Sequence, residues 1–350
     1  MRFIHMADIH LGCVPDGKTE WAEMRKRELW ETFRESVQDA SDLGADLVLI
    51  AGDLFHTPPD IRMLKEVSYL FSSCPRTCFV LMAGNHDMMS RESAWREFHY
   101  PKNTALLGTD GCECITFPSI GCEVYGFSYE RSQIEEARYD DIRPDGNDFF
   151  HILLAHGGDT LHIPFSAGAM ERSGFDYIAL GHIHRPQVIL KDRAAYSGAL
   201  SPIDAGDEGP HGYLLGETSG HSVRLRFVPK AKREYVTMKV DVTEEDTAFS
   251  VRDKVAGAVK ERGPENIYKV VLSGQRDPAA AIDPRLIGGC GMILSVSDKT
   301  VPAFHMEELK QKYKGQLIGR YIESFEYDLT ETEKLALQYG LEALLHGGSV

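Results

Sequence analysis

Short apolar runs, each ended by glycine or a polar residue, set the rhythm of the first half of the chain. Residues 2–7, 46–51, 78–83, 149–155 and 177–180 are rich in Val, Ile, Leu and Phe, and runs of that length and content read as β-strands. They are apolar at successive positions, which suits strands covered on both faces by other layers. Between them the period changes to three and four. Residues 21–43 set Leu29, Phe33, Val37 and Ala40 on one stripe of a long amphipathic helix, and residues 61–71 and 167–173 are shorter helical stretches. Strand alternating with helix predicts an α/β layered fold, whose ligands bind in the crevice beyond the carboxyl ends of the strands.

At those ends stand five polar clusters: Asp8-Ile9-His10, Gly52-Asp53, Gly84-Asn85-His86-Asp87, His156-Gly157 and Gly181-His182-Ile183-His184. In extended chain, residues i and i+2 share a face, so Asp8 pairs with His10 and His182 with His184. Asp8, His10, Asp53, Asn85, His156, His182 and His184 are seven candidate metal ligands. That is too many for one ion and enough for two, if one carboxylate bridges. Imidazole, carboxylate and amide oxygen without thiolate suit Mn²⁺, Fe²⁺ or Zn²⁺ better than a structural zinc site. Two divalent ions less two aspartates leave a positive field fit to hold a phosphodiester. Ions ~3.5–4 Å apart clamp the attacking and leaving oxygens of an in-line displacement. His86 is not needed as a ligand and is the candidate catalytic histidine, with His56 and Asp87 as candidate supports.

These motifs resemble the calcineurin-like metallophosphoesterase superfamily. Within it, Gly52-Asp53-Leu54-Phe55-His56 resembles DNA double-strand-break repair nucleases of the SbcD type, most other branches carrying a second Asp where His56 stands. The stretch from Trp95 through Tyr100-Pro101-Lys102-Asn103, and the ending over residues 319–345, resemble the YhaO-like exonuclease subgroup. The resemblance implies a four-layer sandwich of two mixed β-sheets flanked by helices, followed by a smaller α+β capping-like domain. It assigns Asp8, His10, Asp53 and His184 to one ion, and Asp53 (bridging), Asn85, His156 and His182 to the other. His86 takes the catalytic role, supported by His56. The implied cofactor is a pair of divalent ions, Mn²⁺ foremost, with Fe²⁺, Zn²⁺ or Mg²⁺ as alternatives. The implied partners are DNA ends or single strands, an SbcC-like coiled-coil ATPase and a second copy of the chain.

Composition bounds this picture. The 350 residues accommodate a phosphoesterase domain over 1–229 and a second domain over 230–350. The first closes with antiparallel strands at 188–190, 194–197, 212–216 and 222–228. Residues 229–233 read as a linker. Beyond them come strand 235–242, helix 249–261, strands 268–273 and 292–296, and helices at 304–313 and 331–345. Thr330 and Glu333 form a capping box that opens the last helix. No apolar run reaches membrane-span length, and the strand pattern begins at residue 2. Seven cysteines without a framework read as reduced thiols, so the expected location is the cytoplasm. His162 and His211 fit no motif; they could reach the site from loops, but the ordinary reading is preferred.

Charge pulls against nucleic acid. The chain carries −15, and residues 230–350 hold 17 basic and 19 acidic side chains, so nearly all the excess lies in the first domain. DNA binding normally uses a basic surface; here it would draw on local patches such as residues 310–320, on the metals or on a partner. The leading expectation is a DNA exonuclease, with endonuclease action possible on the same chemistry. A small-molecule phosphodiesterase or nucleotide phosphatase is the alternative, and a non-catalytic scaffold the remote one.

Overall fold

A computed structural model describes residues 1–325 and 328–346; residues 326 and 327, inside the 319–345 stretch singled out above, lie outside it. The chain forms two compact units, 1–235 and 236–350. The first begins with β1 (Arg2–Met6), α1 (Ala22–Asp42), β2 (Leu47–Ala51), α2 (Ile61–Ser72), β3 (Cys78–Met82), α3 (Ala94–Glu97) and β4 (Thr104–Leu106). It continues through β5 (Glu113–Phe117), β6 (Cys122–Gly126), β7 (Phe150–His156), α4 (Ala167–Arg172) and β8 (Tyr177–Gly181). It ends with β9 (Gln187–Leu190), β10 (Ala194–Tyr196), β11 (Gly212–Ser219) and β12 (Ser222–Pro229).

Two six-stranded sheets result, in the orders β12-β11-β1-β2-β3-β4 and β5-β6-β7-β8-β10-β9. Strand parity explains how they stack. Leu47, Leu49 and Ala51 of β2 meet Ile152 and Leu154 of β7 and Ala179 of β8 in the core between the sheets. The alternate residues Val48 and Ile50 face α1 and α2, through Phe33, Val37, Leu64 and Phe71. On the far side, Leu153, Ala155, Ile178 and Leu180 pack with Ala169 and Met170 of α4. The four layers are thus helix, sheet, sheet, helix, and the central strands β2, β7 and β8 are buried on both faces. That is why the runs were continuously apolar.

Three details differ from expectation. Strand β10 runs parallel to β8 and antiparallel to β9, because the β9–β10 hairpin folds back and inserts its second strand beside β8. The pattern also concealed β4, β5 and β6. Strand β6 is wholly buried yet carries Glu123, whose carboxylate is satisfied by Tyr125 Oη at 2.8 Å and Asn147 Nδ2 at 3.1 Å. Finally, the units divide after Tyr235, six residues beyond the expected boundary. The would-be linker is fastened to α1 by Lys230–Asp39 at 2.7 Å, by Lys232–Glu35 and by Arg233–Glu28.

The second unit is built on β13 (Tyr235–Val242), α5 (Ala248–Arg262), β14 (Ile267–Arg276), α6 (Pro284–Gly288), β15 (Met292–Asp298) and β16 (Val301–Pro302). Its sheet runs β13-β14-β15, with β16 pairing to β14. Val251 and Val255 of α5 cover Met238, Val240, Val270 and Leu272. Then follow α7 (Met306–Lys312), α8 (Leu317–Glu323) and α9 (Glu331–His346), joined through Ile322, Leu337 and Leu341. Thr330 and Glu333 cap α9 reciprocally: Thr330 N donates to Glu333 Oε2 at 2.8 Å and Glu333 N to Thr330 Oγ1 at 3.3 Å. No helix among the described residues is long and apolar enough to cross a membrane.

One buried group makes the first unit acid-sensitive. His5 is fully buried on β1, and Tyr177 Oη lies 2.8 Å from its Nδ1. Burial pushes its pKa down to about 3 from 6.5. Its folded value is depressed, so its contribution is complete above pH 6.5 and is lost as the pH falls toward 3. The expected slope approaches about 1.4 kcal/mol per pH unit. His5→Gln, which keeps an acceptor for Tyr177 but does not titrate, should flatten that part of the urea-unfolding profile between pH 6 and 4. An unchanged slope would refute it.

Candidate metal centre

The carboxyl ends of β1, β2 and β3 in one sheet open beside those of β7 and β8 in the other. Hydrogen bonds weave the five turns together. His10 N donates to Asp53 O at 3.0 Å and Gly157 N to Gly181 O at 3.1 Å. His182 N reaches Asp8 Oδ2 at 2.9 Å, and His86 N reaches Asp53 Oδ1 at 2.9 Å. Across the sheets, His156 Nδ1 donates to Ala51 O at 2.8 Å.

The backbone here is strained. Asp8 (φ 50°), His10 (51°), Asp53 (51°) and His182 (99°) adopt left-handed conformations without being glycine. Such positions cost of order 1–3 kcal/mol each and survive where surrounding contacts over-determine them. Four of the seven candidate ligands are therefore held in conformations the chain would not otherwise choose, a feature of functional sites rather than of ordinary strand ends.

All seven candidate ligands converge. Asp8, His10 and His184 offer donor atoms within chelating reach of one another, as do Asp8, Asp53 and His156. Asn85 Oδ1 lies 2.9 Å from His156 Nε2 and 3.1 Å from His182 Nδ1. His10 Nε2 and His184 Nε2 stand 3.2 Å apart. The other ring nitrogens are committed: His156 Nδ1 to Ala51 O, His182 Nε2 to Asp159 Oδ2 at 2.8 Å, and His184 Nδ1 to Asp207 Oδ1 at 3.1 Å. In the neutral rings each inward nitrogen is then a lone pair facing another acceptor. Metal–ligand bonds of ~2.0–2.2 Å bring neighbouring donors to about this spacing, so a shared cation relieves the conflict. The donor set fits divalent metal.

Electrostatics point the same way. Burial raises the Asp8 carboxyl to about 6, against the pull of His156 and His184. Burial also works to raise Asp53, but His156, His10 and His86 hold it well below the usual carboxylate range. Burial lowers His10 to about 3 and His182 to about 4. It opposes charge on His156 and His184 too, yet both are pushed up to about 9, His156 chiefly by Asp53 and His184 by Asp207 and Asp8. Two imidazoles that attract protons despite burial mark a nest wanting two positive charges.

His86 comes within chelating reach of His10 and His56, but it differs from the seven candidate ligands in its exposure. It is exposed, its Nδ1 lies 3.3 Å from His56 O, and its ring stacks on His56 with centroids 5.3 Å apart. The His10 ring meets it edge-on at 4.8 Å. Its Nε2 has no hydrogen-bond partner among the described residues. Asp87, grouped above with the catalytic candidates, is instead fully buried. Its two oxygens accept from Gly84 N at 2.7 Å and Phe55 N at 3.0 Å, so it staples two site loops by their backbones. Burial and the neighbouring Asp53 raise it to about 7.

Sequence reasoning missed two carboxylates and misplaced one histidine. Asp159 receives both His182 Nε2 and His162 Nδ1, the latter at 2.9 Å, and the His162 ring lies 4.4 Å from that of His182. His162 therefore joins the rim of the site. Asp207 fixes His184. Such carboxylate–histidine pairs set the tautomer of a ligating imidazole. Neither aspartate belongs to a motif; both lie on loops that return to the centre only in three dimensions. The one available signal was the Asp159–His162 spacing just after Gly157.

This arrangement defines a metal-dependent phosphoesterase. A sequence model described as calcineurin-like phosphoesterase matches residues 1–186, and the chain belongs to that family. Over 298 residues it is 28% identical to an uncharacterized metallophosphoesterase, YhaO, of Bacillus subtilis, covering 78% of this chain and 72% of that one. The DNA double-strand break repair protein Mre11 of Methanopyrus kandleri is 27% identical over 320 residues, covering 79% of this chain and 69% of its own. Its counterpart in Haloferax volcanii is 26% identical over 320 residues, covering 85% and 67%.

Proposed function

We propose that the chain is a cytoplasmic two-metal phosphodiesterase that degrades DNA, as an exonuclease with endonuclease action on the same site, in double-strand-break repair. The observation carrying this reading is an exposed His86 whose Nε2 is free of the His56 carbonyl, beside a nest of seven donors of which Asp8, His10, Asp53 and His156 are buried. One ion would be held by Asp8, His10, Asp53 and His184, the other by Asp53, Asn85, His156 and His182, with Mn²⁺ as first choice. Bound there, two divalent ions supply the field that holds a phosphodiester and acidifies a water for in-line attack.

The chain's own residues do the rest. Asp53 supports the His86 backbone through Oδ1, while its Oδ2 faces His156 at 3.5 Å and His10 at 3.9 Å. One carboxylate therefore ties the ligand nest to the backbone that carries the catalytic ring. The His56 carbonyl accepts from His86 Nδ1, which turns the ring so that Nε2 faces outward. That ring gives its Nε2 proton to the leaving oxygen as the phosphorus–oxygen bond breaks. Asp159 and Asp207 keep His182 and His184 in their ligating tautomers.

DNA as substrate draws support from His56 and from the two relatives named as break-repair proteins. The second unit is then the capping-like domain of such nucleases, and the working assembly is a homodimer with an SbcC-like coiled-coil ATPase. The charge of −15 favours a second reading, a small-molecule phosphodiesterase or nucleotide phosphatase. One assay separates them. With Mn²⁺ supplied, labelled duplex and single-stranded DNA are compared with bis-p-nitrophenyl phosphate and mononucleotides. Degradation from DNA ends is expected; turnover of mononucleotides while DNA survives would establish the second reading instead.

A further inference from the structure

The segment through which the chain leaves the first unit is tied, by an unbroken series of polar contacts, to one ligand of the candidate metal centre. Arg233 Nε donates to Glu28 Oε2 at 2.8 Å. The same Glu28 oxygen accepts from Arg25 Nη1 at 3.0 Å, and Arg25 Nη2 donates to Pro202 O at 2.6 Å. Next in sequence, Ile203 N donates to Asp207 Oδ2 at 2.9 Å, and Asp207 holds His184 Nδ1. A second route is shorter. Tyr235, the last residue of the first unit, forms a β-bridge with Glu208, which directly follows Asp207. Its hydroxyl donates to Asp16 Oδ1 at 2.8 Å, and Asp16 Oδ2 lies 3.8 Å from Arg25 Nε.

Burial makes this series stiff. Arg25 is 1% exposed, Glu28 8% and Tyr235 1%. Removing one partner of a buried, hydrogen-bonded charge pair strands the other, so these groups move together or not at all. No part of the nuclease chemistry requires an arginine–glutamate–arginine series at the base of α1. It does fix the loop that carries Asp207.

We propose that Arg25, Arg233 and Tyr235 are positioning residues for His184, so that the junction leading into the second unit sets the metal affinity of the site. The proposal rests on His184 being a metal ligand. Force or rotation applied to the second unit would reach His184 through the Glu208 bridge and the Arg25 contact. The centre would thereby hold the ion of Asp8, His10, Asp53 and His184 tightly in one setting of the junction and loosen it in another.

Titration of Mn²⁺ by calorimetry, with the visible spectrum of the Co²⁺ form as a geometric signature, tests this on the full chain. Asp207→Ala should weaken one of two ions by roughly 10–100-fold. Arg233→Met should weaken the same ion by a smaller factor and change the Co²⁺ spectrum, and Tyr235→Phe should act in the same direction. Lys230→Met breaks the neighbouring junction contact to Asp39, which does not lead to Pro202, and should bind like the wild type. Added to Asp207→Ala, Arg233→Met should cause no further loss. Wild-type binding by Arg233→Met and Tyr235→Phe, or an equal loss from Arg233→Met in both backgrounds, overturns the inference and leaves the metal centre standing. Undiminished binding by His184→Ala overturns the metal reading of His184 and the inference with it.

Discussion

His86→Ala is expected to remove roughly 10²–10⁴-fold of the phosphodiesterase rate, as loss of a general acid does, while both metal ions stay bound. The separation follows from geometry. His86 contributes its ring to solvent and its backbone N–H to Asp53, and alanine keeps the backbone contact. The His156, His182 and His184 rings are oriented by Ala51, Asp159 and Asp207, and His10, whose ring meets that of His86 edge-on, is also held through its backbone N–H to Asp53 O. A drop of that size corresponds to about 3–5 kcal/mol of barrier and should fall on kcat, because the proton is needed when the leaving oxygen departs. His56→Ala, which retains the accepting carbonyl and loses only the stacked ring, should fall between the wild type and His86→Ala. Ion stoichiometry measured beside kcat decides the matter. Loss of an ion together with activity would make His86 part of the ligand nest and sink the assignment.

The strands that carry ligands were legible because burial on both faces writes itself as an uninterrupted apolar run, and because the polar clusters interrupt those runs abruptly. The helices flanking the first sheet were equally plain, as α1 shows with its stripe of Leu29, Phe33, Val37 and Ala40. What stayed hidden depends on pairing at a distance. Strand β6 looks polar at Glu123 because its partners, Tyr125 and Asn147, lie partly outside the strand. Strand β10 could not be oriented, since alternation says nothing about which arm of a hairpin lies inside. Asp159 and Asp207 stand on loops, and only the fold makes them neighbours of His182 and His184. The clustering of left-handed residues at Asp8, His10, Asp53 and His182 was equally invisible, because these residue types do not announce a positive φ as glycine does. The ligand set was a sequence-level inference; the apparatus that orients it is tertiary.

That apparatus makes a residue with no side chain one of the most sensitive positions in the molecule. Gly84→Ala is expected to abolish activity by expelling metal. A methyl group there would lie 2.6 Å from Asp53 N and 2.8 Å from His156 Nε2, and closer still to Asp53 Oδ1. None of these can retreat without breaking a contact that orients the site. His156 is fully buried and anchored to Ala51 O, Asp53 Oδ1 is held by His86 N, and Gly84 itself is pinned by Asp87 Oδ1. The intruding carbon therefore displaces the carboxylate proposed to bridge the ions together with a histidine ligand. Overpacking of this kind costs typically 1–3 kcal/mol, which a domain of ordinary stability absorbs, so the variant should remain folded while its Mn²⁺ stoichiometry collapses. Gly146→Ala supplies the control, because a methyl there meets nothing within 4 Å. Calorimetric titration and thermal unfolding of the two variants give the answer: a Gly84→Ala protein that binds two ions with wild-type affinity would mean that Asp53 and His156 do not jointly hold the metals.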